Sequence, residues 1–333
     1  MPSSTSHSRR KLPRQALVLV AAALFTWGLD VVYTLRWNPE LQFFQQAYQL
    51  KVRWAERLSR EQGVKTVIYG GSSTLFSIDT GRLFERDRLP AVNFGFAAGI
   101  GASVLTQAAV QELRPGDTLI VALEPVLLTD SLEPPGMGVQ FSFITGHPRW
   151  FFRPTVGTNS VFWPSALLAL RPGGYHTLTM LGKLLRGGSL YRYAVADLHP
   201  DGFTQTDVRV SDYQPGWHSG RLPPESRVFL QALRTWCEVH QVQVFYLLPW
   251  SYAPAEVAAG FRRLNAQFLG EISTLLPVLY DPRLGAYGVR EHFADSGFHL
   301  NQEGAALRTD ELAKQLKSRR VWAAEELRVL AGR

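Results

Sequence analysis

Apolar residues fall along this chain in two rhythms. Short runs rich in β-branched and aromatic residues, at 66–69, 91–94, 118–123, 242–248 and 278–280, read as buried strands. Between and after them, apolar residues recur every three or four positions, which predicts helices over 103–113, 227–240, 255–276 and 305–316. The stretch 79–89 shows the same rhythm more weakly. An earlier stretch, 41–61, also has helical spacing and reads as a stalk packed on the domain. Strands alternating with helices imply an α/β fold. The expected architecture is a flavodoxin-like three-layer α/β/α sandwich around a five-stranded, mostly parallel sheet, spanning residues 41–318.

The alternation breaks once, across residues 126–225. This segment is dense in Pro, Gly and aromatics, among them Phe141, Phe143, Trp150, Phe151, Phe152, Trp163, Tyr175, Tyr191 and Tyr193. No simple period emerges, so it reads as an insertion with short helices. Because it follows the third strand, it is expected to cover the ligand-binding edge of the sheet, as a lid or as a structural elaboration. Residues 319–333 read as a basic helical tail.

The amino-terminal pattern is different again. Residues 1–14 are Ser-rich and then basic, with Arg9, Arg10, Lys11 and Arg14, and are expected to be disordered. Residues 15–34 contain an apolar run from Ala16 to Tyr33, interrupted only by Thr26 and Asp30. As a helix this run is about 27 Å long, slightly short of a hydrocarbon core. Trp27 and Tyr33 then fall near the far interface. The basic flank predicts a single-pass anchor in the inner or cytoplasmic membrane, with the carboxy-terminal domain extracytoplasmic. A cleaved signal peptide has the same flank and run, but no small-x-small cleavage site directly follows it. A buried helix of a soluble protein is a third reading, and the arginines ahead of it argue against that.

Composition adds constraints. With 333 residues and 46% hydrophobic content, the chain can bury a core. Its net charge of +7 owes four positive charges to the segment before the apolar run. The body carries no stripe of basic and aromatic residues, so a nucleic-acid partner is not expected. One cysteine, Cys237, excludes an internal disulfide framework and a Cys-based metal cluster.

Three stretches carry candidate chemistry. In KTVIYGGSSTLFSID, the first strand runs into Gly70 and Gly71 and then the hydroxyls of Ser72 and Ser73. This is the end of a parallel strand where ligands bind, and a serine there is a candidate nucleophile if a base reaches it. A strand, a Gly/Ser turn and a capped helix is also a common structural unit. In AVNFGFAAGIG, glycines 95, 99 and 101 space out a loop ahead of a helix, where backbone N–H groups can face an anion. The spacing is not a dinucleotide fingerprint, and no cofactor is implied. In FADSGFHLNQEG, Asp295 and His299 lie four residues apart, which suits a general base and its orienting carboxylate. Packing of His299 near the last helix, with Asp295 as a turn residue, is the structural alternative. His292, Asp295 and His299 lack the regular spacing of metal ligands, so no metal site is expected.

Together these stretches resemble the SGNH (GDSL-like) hydrolase superfamily, in its membrane-anchored bacterial branch related to polysaccharide O-acyltransferases and esterases. Gly70-Gly71-Ser72 resembles the nucleophile block, and its spacing to Ile78-Asp79 matches that branch. Gly71-Ser72-Ser73 is the alternative register, with Ser73 as nucleophile. Asn93-x-Gly95 resembles the second block, and His299-Leu300-Asn301 with Gly304 resembles the last. The resemblance implies a catalytic set of Ser72, Asp295 and His299. It implies an oxyanion hole from the backbone N–H groups of Ser72, Gly95 and Gly99, with Ala98 nearby. It also implies a cell-surface polysaccharide or other envelope ester as substrate, an acyl donor, and a membrane acyltransferase as possible partner. A non-catalytic subunit on the same fold is the other class of function. Two departures stand out. The third strand ends Ala122-Leu123-Glu124-Pro125, without the block's oxyanion asparagine, and Asp295 lies four rather than three residues before His299.

Overall fold

The computed structural model describes residues 14–332 except 131, 133–135, 153, 157–162, 171–173, 188–190, 207, 209–212 and 214–215. The expected disordered segment 1–14 therefore lies outside the described residues, apart from Arg14. The apolar run is one continuous helix, α1 (Arg14–Arg36), with a mean hydropathy of 2.0 over its most apolar window and none of that window buried. It has the length and composition to cross a membrane. It ends at a joint made by Trp37, Asn38 and Pro39. Proline lacks the N–H needed to continue α1 but suits the first turn of a new helix. Asn38 caps that helix by accepting from the N–H groups of Glu40 and Leu41.

The new helix, α2 (Pro39–Glu61), buries Leu41, Phe44, Tyr48, Lys51, Ala55 and Leu58, a stripe with three- and four-residue spacing. It leads to β1 (Thr66–Gly70), then the short α3 (Ser72–Ser77), α4 (Thr80–Asp87), β2 (Ala91–Gly95), α5 (Ala102–Val110) and β3 (Thr118–Val121). The segment expected as an insertion holds α6 (Val126–Thr129), α7 (Gly136–Ile144), α8 (Arg149–Phe152), α9 (Trp163–Ala169) and α10 (Gly174–Leu185). The chain returns through α11 (Pro224–Val239), β4 (Gln243–Tyr246), β5 (Ser251–Tyr252), α12 (Ala255–Ile272), β6 (Ala286–Tyr287), α13 (Gln302–Ser318) and α14 (Ala324–Gly332).

The main sheet is parallel and four-stranded, in the order β2-β1-β3-β4. A fifth strand at 278–280 was expected, and the structure differs. Val278 meets Tyr246 at one parallel bridge only, and Leu279 pairs antiparallel with Val321. Pro277 has no N–H to extend the ladder, and Val278 and Tyr280 bond instead to Trp322 and Arg320. A separate parallel pair, β5 with β6, was not expected. Alternate residues of the strands feed opposite faces. Val67, Tyr69, Leu119 and Val121 join a core with α2, α5, α11 and α12, while Ile68 and Ile120 pack with Leu83, Leu312 and Ala313 of α4 and α13.

α2 runs antiparallel to the strands. Trp54 Nε1 donates to Ala91 at the start of β2 (3.1 Å), whereas Lys51 Nζ reaches the carbonyl of Gly95 at its end (2.8 Å). The carboxy-terminal edge of the sheet thus points back toward the α1 joint. Lys51 is fully buried and also donates to Asn93 O (2.7 Å) and Gly202 O (2.7 Å). Burial pulls its ammonium pKa well below the usual lysine value, with the Asp201 charge opposing in part. Lys51→Met would leave three buried carbonyls without a donor, at about 1–3 kcal/mol each if nothing replaces it. A loss of about 3 kcal/mol or more in urea unfolding is expected; a change under about 1 kcal/mol would contradict this assignment.

Candidate active site

Ser72 opens α3 directly after β1, at the carboxy-terminal edge of the sheet. The two N–H groups flanking it are occupied. Glu124, just beyond β3 and buried, accepts from Gly71 N through Oε2 (3.0 Å) and from Ser73 N through Oε1 (2.9 Å). A carboxylate suits the electropositive start of a helix. A Cβ at Gly71 would press on this carboxylate and displace it. Ser72 itself is half-buried, and among the described residues nothing hydrogen-bonds its hydroxyl or its N–H.

The two adjacent serines have different surroundings. Ser73 is buried, and its hydroxyl has no hydrogen-bond partner among the described residues. It borders a void of about 10 Å³ lined also by Ala122, Trp250 and Arg308 but by neither Ser72 nor His299. Phe76, four residues and one turn after Ser72, lies on the same helix face. The His299 ring packs on Phe76 with centroids 4.5 Å apart. The imidazole is thus set against the face of α3 that carries Ser72.

Asp295 and His299 are joined: His299 Nδ1 and Asp295 Oδ1 are 2.7 Å apart. The extra residue in this loop is absorbed by a turn in which Ser296 Oγ accepts from the N–H groups of Phe298 and His299 (3.2 Å each). His299 is mostly buried, and its Nε2 has no partner among the described residues. Asp295 Oδ2 accepts from Tyr193 Oη (2.7 Å) and from Arg192 (2.8 Å). Burial alone raises the Asp295 pKa, but these bonds from His299, Tyr193 and Arg192 outweigh it and hold the carboxyl well below its usual range. Tyr193 is pushed the other way, by burial first and then by Asp295, so it stays protonated and donating. Its ring also packs on Phe76, at 4.9 Å.

The glycine loop differs from expectation. Gly95 N donates to Asn93 Oδ1 (2.9 Å), and Gly95 O accepts from Lys51, so its N–H is not free to hold an oxyanion. Gly95 is glycine because β2 passes directly against the backbone of Thr74 and Leu75 in α3. Asn93 Nδ2 bonds the carbonyls of Thr74 (2.8 Å) and Ile78 (2.7 Å), bracing α3 from its far end. Gly99 is exposed beside Met137, and no contact brings it to Ser72 among the described residues. Reading the sequence missed Arg192 and Tyr193, since nothing in the aperiodic segment around them signals a partner more than a hundred positions on.

No protein-family model, curated protein or solved structure matches this chain.

Tyr193→Phe removes one charge-assisted hydrogen bond and is expected to cost about 1.5–3 kcal/mol at neutral pH. Because the folded Asp295 pKa lies below its unfolded value, its stabilisation is full above that unfolded value and lost as pH falls through the folded one. The gap between wild type and Tyr193→Phe should therefore narrow below about pH 4, as read by denaturant unfolding across a pH series. A gap that widens in acid would contradict the assignment.

Proposed function

We propose that this protein is a membrane-anchored SGNH-like serine esterase or O-acyltransferase acting on a cell-surface polysaccharide or other envelope ester. The observation that carries the reading is the Asp295–His299 pair, its Nε2 without a partner among the described residues and its ring on Phe76, in the helix that Ser72 opens. In this mechanism Ser72 Oγ attacks the ester carbonyl as His299 Nε2 takes its proton. Asp295 holds the Nδ1 tautomer and stabilises the imidazolium. The tetrahedral intermediate collapses to an acyl-Ser72 ester, and His299 returns the proton to the leaving alcohol. Water or a sugar hydroxyl then accepts the acyl group. The proposed scaffold is the flavodoxin-like three-layer sandwich, with the Val278 edge as its reduced fifth strand. In this reading the basic flank ahead of α1 orients the domain outside the cytoplasm, where a membrane acyltransferase acts as its partner.

Glu124 favours a second reading, a non-catalytic subunit of an envelope polysaccharide machine. Its carboxylate fills the two N–H donors beside Ser72, and Gly95 N–H is spent on Asn93. The Ser72 N–H remains as the open donor at this turn. Removing one oxyanion donor costs about 10²–10³ in rate, so the wild-type chain is expected to hydrolyse small activated esters slowly.

A fluorophosphonate probe separates the two readings. Labelling should be lost in Ser72→Ala and in His299→Ala and largely kept in Ser73→Ala. Loss in Ser73→Ala alone would move the nucleophile, and absence of labelling in the folded wild type would sink the esterase reading. Topology is tested independently: a reporter fused after Arg333 should be active only outside the cytoplasm.

A further inference from the structure

The segment between β3 and α11 leaves apolar surface beside the end of the anchor. Val31 and Leu35, in the last turns of α1, pack with Val139 and Phe143 of α7 and with Ala166 of α9. The anchor's end is thus joined to these helices, whereas its earlier residues Leu17 to Phe25 are exposed. Farther along the segment, α10 buries Met180 but exposes Leu178, Leu181, Leu184 and Leu185 at 51–79%. Their spacing of three and four places them on one face. The exposed Lys183 and Arg186 lie on the other side of the helix.

The level of α10 along the anchor axis is also marked. Glu40 lies in the first turn of α2, just past the joint that ends α1. Leu170 belongs to the cluster that holds Val31 and Leu35, and α10 begins four residues later, so α10 starts beside the end of α1; the Lys183 charge also acts on Glu40. Trp37 at the joint is itself 63% exposed, as suits the boundary between hydrocarbon and water. A leucine face beside the exit of a spanning helix, with basic residues on the opposite side, has the chemistry of an interfacial helix.

We infer that α10 lies on the bilayer that α1 enters, with Leu178, Leu181, Leu184 and Leu185 among the acyl chains and Lys183 and Arg186 at the headgroups. The inference rests on α1 being embedded, and not on any esterase activity. It gives the domain a second membrane contact, on the side to which the carboxy-terminal edge of the sheet points.

Site-directed spin labelling of the full chain tests this, after reconstitution into vesicles of phosphatidylcholine and phosphatidylglycerol. Single cysteines at Leu24, Leu181, Leu184, Lys183 and Val239 would carry the label. Cys237 is buried, with its thiol pushed up to about 12 by that burial, and stays unlabelled. Val239 ends α11 at the opposite edge of the sheet and reports water. Labels at Leu181 and Leu184 should lose collisions with a water-soluble nickel complex and keep those with oxygen, as at Leu24. Labels at Lys183 and Val239 should remain open to the nickel complex. If Leu24 is lipid-exposed but Leu181 and Leu184 are as wet as Val239, the inference is overturned and the anchor stands. If Leu24 is also wet, the anchor reading falls with it. Spin–spin broadening between copies at Leu184, without lipid contact, would overturn it in favour of a second chain covering the face. Since the leucines are exposed, these substitutions leave the core untouched.

Discussion

The Lys51 ammonium, held by three backbone carbonyls in a fully buried position, ties α2 to the end of β2 and to the return from the long segment. One carbonyl belongs to Asn93, one to Gly95 at the end of β2, and one to Gly202 on the return from the long segment after β3. The helix that presents the lysine is the continuation of the anchor. A buried cation with no carboxylate in contact is held only if its donors are all used, and here three N–H donors meet three acceptors. The same helix grips the long segment twice more, through Gln45 to the carbonyl of Ile144 (2.8 Å) and through Tyr48 to His147 (3.1 Å). α2, together with the packing of Val31 and Leu35 on α7 and α9, therefore sets the position of the domain relative to α1, and the edge bearing Ser72 inherits that position.

From Lys51 the constraint passes to the turn after β1. The carbonyls that hold the lysine belong to the same residues, Asn93 and Gly95, that brace α3. Asn93 ties down Thr74 and Ile78, while Gly95 lets β2 approach the helix backbone. At the other end, Glu124 fastens Gly71 and Ser73. Ser72 is thus displayed on a helix clamped from both ends, with its own N–H and hydroxyl left out of the clamp. Rigidity of this kind is what a preorganised nucleophile needs, and it is equally what a binding surface needs. The Asp295–His299 pair is the feature that favours the first of these readings.

Much of this fold is legible in the sequence, because burial on both faces gives continuous apolar runs and amphipathic helices give their own period. The four strands β1 to β4 and the helices α2, α5, α11, α12 and α13 all follow from that. The fifth strand does not, since Pro277 and the competing pairing with 320–322 lie outside any local pattern. At the candidate site, Ser72, Asp295 and His299 stand out as residues of the right type at the right strand ends. What the sequence hides is competition for hydrogen bonds. Gly95 N–H looks available until Asn93 takes it, and Glu124 looks like a mere departure from a pattern until its two oxygens are seen on two N–H groups. Arg192 and Tyr193 are hidden for a different reason: their partner lies far along the chain, and an aperiodic segment carries no register from which to infer it.

That segment has two attachments with different chemistry. α10 turns its leucines outward beside the anchor joint, and a few residues later Arg192 and Tyr193 close on Asp295. Tyr193 is wedged between Phe43 of α2 and Phe76 of α3, with ring centroids at 6.2 and 4.9 Å, so it is fixed by the stalk as well as by the site. Arg192 is half exposed and contributes charge more than packing. Removal of Arg192 and Tyr193 from Asp295 would leave a buried carboxylate with His299 as its one side-chain partner among the described residues, and so raise its pKa. The strength with which His299 Nδ1 is held thus depends on two donors that the long segment brings to Asp295.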